Sequence, residues 1–217
     1  MKRFVTTLIL VLIPMGLFAK ETKEQIFWKW FQKNQTKISQ FEKNREPILD
    51  EITEQLAKYK EGITFEVSTE KSGKREFIIS ADGIKELFPS VEALAVAAPK
   101  LEKWDIVAFR PRMNDYAQFN LNYAGKEFVP SEIWIYTRVE DGNFDLIIYH
   151  PNYTDEERNA FISGAYILLD MALGEYDVVT GIRYIDHQKL PSNPKEEGLK
   201  PFSELRRIFD EFKANNG

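Results

Sequence analysis

Arg110-Pro111-Arg112 sets two guanidinium groups two residues apart. In an extended segment that spacing sends both side chains to one side, where they can share a carboxylate or a phosphate, with Asn114, Asp115 and Asn120 close in sequence. Read as an anion site, the pair tolerates joint replacement by alanine without loss of fold but with loss of binding. The structural alternative pairs Arg110 with an acidic neighbour at a sheet end and leaves Arg112 in solvent. Asp82, in an Asp-Gly turn, and His150 complete the candidate ligand-binding set of Arg110, Arg112, Asp82 and His150.

Proton transfer near neutral pH points first to histidine, and the chain has two, His150 and His187. Each stands at the end of a predicted strand, so both can line one sheet edge. Glu175, Asp177 and Asp82 are the carboxylates that would make a base pair with either. The structural alternative is a solvent-facing histidine in a loop. Trp28, Trp104, Trp134 and Tyr136 offer a further choice between an aromatic ligand surface and ordinary core.

Other chemistry finds little purchase. There is no cysteine, no HExxH and no close histidine pair, so a transition-metal site has no ligand set. Asp141, Asn143 and Asp145 start with calcium-loop spacing, but Leu146 stands where glycine is required and Asn152 where the closing glutamate belongs, so the segment reads as a turn. Neither a phosphate-cradling glycine loop nor a GxSxG elbow is present. The sequence names no cofactor and no metal.

The elements that position these residues follow from apolar spacing. Ile26, Phe27, Trp30, Phe31, Ile38 and Phe41 mark a helix over 24–41, with Trp28 off its stripe; a second starts near Pro47 and ends at Gly62. Residues 63–68 and 75–80 read as a strand hairpin. A helix over 84–98 enters through Pro89 and stops at Pro99, and 104–110 reads as a strand. Further strands are expected at 118–123, 126–128 and 132–139, the last turning at Asp141-Gly142 into 144–149. Thr154 and Glu157 suggest a capping box opening a helix that closes at Gly174, and 177–185 reads as a last strand. No sequence repeat is visible.

The N-terminus carries an address. Lys2 and Arg3, an apolar run over 4–18, then Ala19 and Lys20 form the three parts of an export signal, and the run is too short to span a bilayer. Cleavage after Ala19 is expected, leaving a soluble product without a stable membrane span, in the periplasm or secreted. Loss of Lys2 and Arg3 takes the 29 basic residues to 27 against 34 acidic ones, a net charge of −7, which disfavours nucleic acid as a partner.

Ile79-Ser-Ala-Asp-Gly83, Leu87-Phe-Pro89, Ala97-Ala-Pro99, Trp104 through Arg110-Pro111 and Leu173-Gly-Glu-Tyr176 resemble an uncharacterised family of exported bacterial proteins known by a domain of unknown function. The resemblance implies a fold unit and transfers no catalytic residue.

The expected architecture is α+β, a mainly antiparallel sheet with helices on one face. Residues 1–19 are the signal peptide, 20–188 the single domain, 189–200 a linker and 201–217 a C-terminal helix packed on the domain. The expected function is that of a non-catalytic module binding a small-molecule or peptide ligand. The alternative is a periplasmic hydrolase built on a histidine–carboxylate pair.

Overall fold

The computed structural model describes residues 20–216. The export signal and its boundary at Ala19 lie outside the described residues. The fold is α+β with mostly antiparallel strand pairing. Among the described residues no helix is long and apolar enough to cross a membrane.

Two helices lead. α1 (Lys23–Ile38) is opened by a capping box in which Thr22 accepts from the Gln25 backbone and Gln25 answers to the Thr22 backbone. α2 (Arg45–Tyr59) returns beside it. Trp28 is not off the buried face: it is 2% exposed and its indole donates to the Leu94 carbonyl at 2.7 Å, whereas Ile26 is 53% exposed. The reason is tertiary, since the helix is covered by a sheet and by α2 on neighbouring sides and so buries a wider arc than one stripe.

The first sheet holds β1 (Thr64–Val67), β2 (Arg75–Ser80) and β3 (Trp104–Ala108). β1 pairs with β2 antiparallel; α3 (Phe88–Val96) then carries the chain over to β3, which lies parallel to β2. β4 (Leu121–Tyr123) and β5 (Lys126–Phe128) make a small hairpin, β4 being shorter than the expected strand because residues 116–118 form a 3-10 turn. The second large sheet repeats the first pattern. β6 (Trp134–Glu140) pairs antiparallel with β7 (Asn143–His150) through Asp141 and Gly142, whose φ values of 50° and 72° suit the two-residue hairpin turn. α4 (Arg158–Leu173) and α5 (Glu175–Gly181) then cross to β8 (Ile182–Lys189), parallel to β7. β9 (Lys200–Pro201) adds to the far side of β6, and α6 (Leu205–Asn216) ends the chain.

Two expected features differ. Thr154 makes no side-chain cap; a 3-10 turn occupies Asp155–Glu157, and Glu157 pairs instead with Lys126 at 2.7 Å. The expected strand at 177–185 is helical until Gly181, because Gly174 (φ 83°) ends α4 and a second short helix starts at once. Two apolar cores result. One joins α1, α2, α3 and the first sheet around Phe31, Phe77 and Trp104; the other joins α4, α5, α6 and the second sheet around Phe144, Leu169 and Phe209.

Candidate functional site

Arg110 and Arg112 do not share one anion. Phe109 stands between β3 and Arg110 at φ 67°, a left-handed conformation that is costly for a bulky residue, and its ring is held by Phe88 and Tyr176. That turn aims the Arg110 backbone N–H at the Glu175 carboxylate, 3.1 Å away, while the N–H groups of Ala81 and Gly83 reach the same carboxylate at 2.9 and 3.3 Å. The Arg110 guanidinium meets Glu66 (2.6 Å), Asp82 (3.0 Å) and Asp170 (3.4 Å). Arg112 donates to the Leu173 carbonyl at the end of α4 and pairs with Asp177 and Asp210, each at 2.8 Å.

Each arginine is therefore bound by the protein's own carboxylates. Cations at a helix C-terminus are favoured by its dipole, and Arg206 joins Arg112 there by donating to the Met171 and Ala172 carbonyls. Joint replacement of Arg110 and Arg112 by alanine is therefore expected to cost stability as well as any binding, since it leaves these carboxylates without their partners. Their role is to fasten α4 and α5, from the C-terminal half, to the end of the first sheet. Burial pushes the Asp170 carboxyl up to about 7 against the pull of Arg110, and the Glu175 charge adds to the push.

The histidines come together but not with a carboxylate. His150 Nε2 and His187 Nδ1 lie 3.1 Å apart on adjacent strands, both rings inside the second core. Neither is a solvent-facing loop residue. Glu175 is occupied by backbone donors, Asp177 by Arg112 and Lys213, and Asp82 by Arg110, so none of the three forms the pair a general base needs. Asp145, read in sequence as part of a turn, lies under Arg183 and Arg138, which hold its carboxyl at about 2 against the opposing push of burial. Among the described residues no cluster of three or more His, Cys, Asp or Glu is arranged for a metal ion.

The aromatic candidates divide. Trp28 and Trp104 are core, but Trp134 and Tyr136 lie on the opposite side of the second sheet from its core. Strand alternation puts Trp134, Tyr136 and Arg138 of β6 on that outer face with Asp145, Ile147 and Tyr149 of β7 and Tyr184 of β8. Trp134 sits opposite Tyr149, and Tyr136 opposite Ile147. Tyr136 and Tyr184 are 42% and 53% exposed, and none of the five apolar side chains joins either core. At the β9 edge of this face a depression of about 410 Å³ is lined by Trp134, Lys195, Leu199, Lys200 and Glu204.

Sequence reading missed Ile147, Tyr149 and Tyr184 in this face, and the keystone role of Glu175. Ile147 and Tyr149 were hidden because β7 is apolar on both sides, so its alternation does not show which side is covered, and Tyr184 because the strand expected over 177–185 is helical until Gly181. A glutamate directly after the helix-ending Gly174 was the only local sign of the fourth. Comparison with protein-family models, with curated proteins and with solved structures found no match for this chain.

Proposed function

We propose that the protein is a non-catalytic binding or interaction module that acts after export, in the periplasm or outside the cell, and that it takes a small-molecule or peptide ligand on the outer face of the second sheet. Membership of the exported family that its 79–83, 87–89, 97–99, 104–111 and 173–176 segments resemble is part of that reading. The observation that carries it is the row of Trp134, Tyr136, Ile147, Tyr149 and Tyr184 outside both cores, with Tyr136 and Tyr184 exposed and the other three half-buried, since aromatic side chains left on one surface offer large contact area at low entropic cost. The paired charges Arg138 and Arg183 with Asp145 and Glu140 at one end of the face supply polar contacts without a net charge. The alternative of a hydrolase built on a histidine–carboxylate pair would need an imidazole against a carboxylate, whereas these two imidazoles bond each other.

Native mass spectrometry of the protein recovered from its own envelope fraction tests the proposal, with Tyr136→Ala/Tyr184→Ala as the comparison. A chain beginning at Lys20 with bound mass that the double variant loses is the expected result. Bound mass retained equally by the variant, or a chain still carrying residues 1–19 in the cytoplasmic fraction, overturns it.

A further inference from the structure

The two imidazoles lie behind this face, on the side of the second sheet that faces its core. Their rings are nearly parallel, 14° apart, and joined by one N···N bond, an arrangement that requires a proton on only one of the two facing nitrogens. His150 is fully enclosed, and its Nδ1 has no hydrogen-bond partner. Its walls come from three separate segments: Phe128 of β5, Tyr153 of the β7–α4 connection, and Phe161 of α4.

We propose that His150 and His187 form an acid-released latch, in which proton uptake by the pair frees the start of α4 and the β4–β5 hairpin from the ends of β7 and β8. A proton arriving at His150 Nδ1 creates a cation whose N–H points at no acceptor. One arriving between the rings removes the bond that joins them. Either places charge among Phe128, Phe161 and Tyr153, which is costly without a counter-ion.

No free counter-ion is at hand in the packing around the pair. On α4, Arg158 is bound to Tyr153 Oη (2.9 Å) and to Asp186 (3.0 Å), the residue preceding His187. On β5, Lys126 pairs with Glu157, and Lys189 stands opposite His150 in the β7–β8 register. Burial accordingly pushes His150 down to about 3 and His187 down to about 4, with His187 opposing charge on His150 and Arg158 opposing it on His187, where Asp186 only partly offsets the shift. Because both folded values lie below the ordinary imidazole value near 6.5, the pair's contribution is complete above about 6.5 and is lost as pH falls toward the folded values. Each proton taken up on opening multiplies the open population about tenfold per pH unit across that window.

Hydrogen exchange of the full chain between pH 7 and 4.5, corrected for the intrinsic rate, reads the latch directly. Protection over residues 121–128 and 153–164 is expected to fall by about tenfold per pH unit for each proton taken up, so up to about a hundredfold per unit when both rings titrate, below about 6.5 while α1 and β2 stay protected, and His150→Phe/His187→Leu, which replaces both partners by apolar groups, is expected to remove that dependence. Unchanged protection of those segments, uniform loss along the chain, or the same acid response in the double variant overturns the proposal. If the variant does not fold, the imidazole proton resonances of the wild type still decide. Silence of both rings between pH 8 and 6 supports the latch, and an ordinary titration near 6.5 by either ring rejects it.

Discussion

The two large sheets are built on one plan, an antiparallel hairpin followed by a helical crossover to a third, parallel strand, yet their interiors hold different chemistry. The N-terminal interior is mainly aromatic and apolar, its buried Arg75 side chain lying over the Phe41 ring and paired with Glu42. Phe27, Trp28, Phe31, Phe77 and Trp104 meet there with ring centroids 4.9–6.5 Å apart, mostly edge to face. The C-terminal half instead encloses His150 and His187, and it contributes Glu175 and Asp170 to the seam between the halves. Under the proposed latch the same topology serves as the anchor on one side and as the proton-responsive unit on the other. The difference lies in which side chains meet, since a strand pairing rule says nothing about what stands on the strands.

If the N-terminal half is the anchor, emptying it must cost the most. Trp104→Ala is expected to lower the unfolding free energy by about 3–5 kcal/mol, measured by urea denaturation, since the indole is 3% exposed and packs against Phe31 and Phe77. A midpoint unchanged by this substitution would remove the anchor side of the comparison. The seam comes next. Glu175→Gln keeps the shape of the side chain but turns an amide donor toward one of three backbone N–H groups, so a loss of about 2 kcal/mol is expected, with the two halves unfolding less cooperatively. One unshifted transition, followed by tryptophan fluorescence and by circular dichroism together, would show that the halves are not joined there.

The third effect is a dependence on pH with the opposite sign to that of the histidines. Asp170 has its folded value raised, so the folded state binds its proton more tightly; that contribution is complete below about 4 and is lost as pH rises through about 7. The stability of wild type relative to Asp170→Asn should therefore fall between pH 4 and pH 7.5. A difference that stays flat across that range would mean that Asp170 titrates as an ordinary exposed carboxylate.

Much of the element order was legible because its causes are local. The 3.6-residue spacing in α1, α3 and α4, the alternation in β6, the proline at the start of α3 and the Asp-Gly turns each act over a few residues, and each appears where its local signal stands. The failures were local signals overruled at a distance. Thr154 and Glu157 had the types of a capping box, but Lys126, far earlier in the chain, takes Glu157. Trp28 fell off its stripe on a helical wheel, yet Leu94 supplies a buried carbonyl for its indole.

The candidate site was the least legible part for the same reason. Composition determined that the chain has an acidic surface, no thiol chemistry and only two imidazoles, and spacing determined where helices and strands begin and turn. Tertiary structure alone decided that Arg110 faces Asp170 and Arg112 faces Asp210, that His150 bonds His187, and that Trp134 and Tyr136 are left outside while Trp28 and Trp104 are enclosed. Those partners are 60, 98 and 37 residues apart in sequence, beyond the reach of any turn or helical repeat. Which charges neutralise one another is a property of the packed sheets, because Coulomb attraction and burial depend on distance in space and not on spacing along the chain.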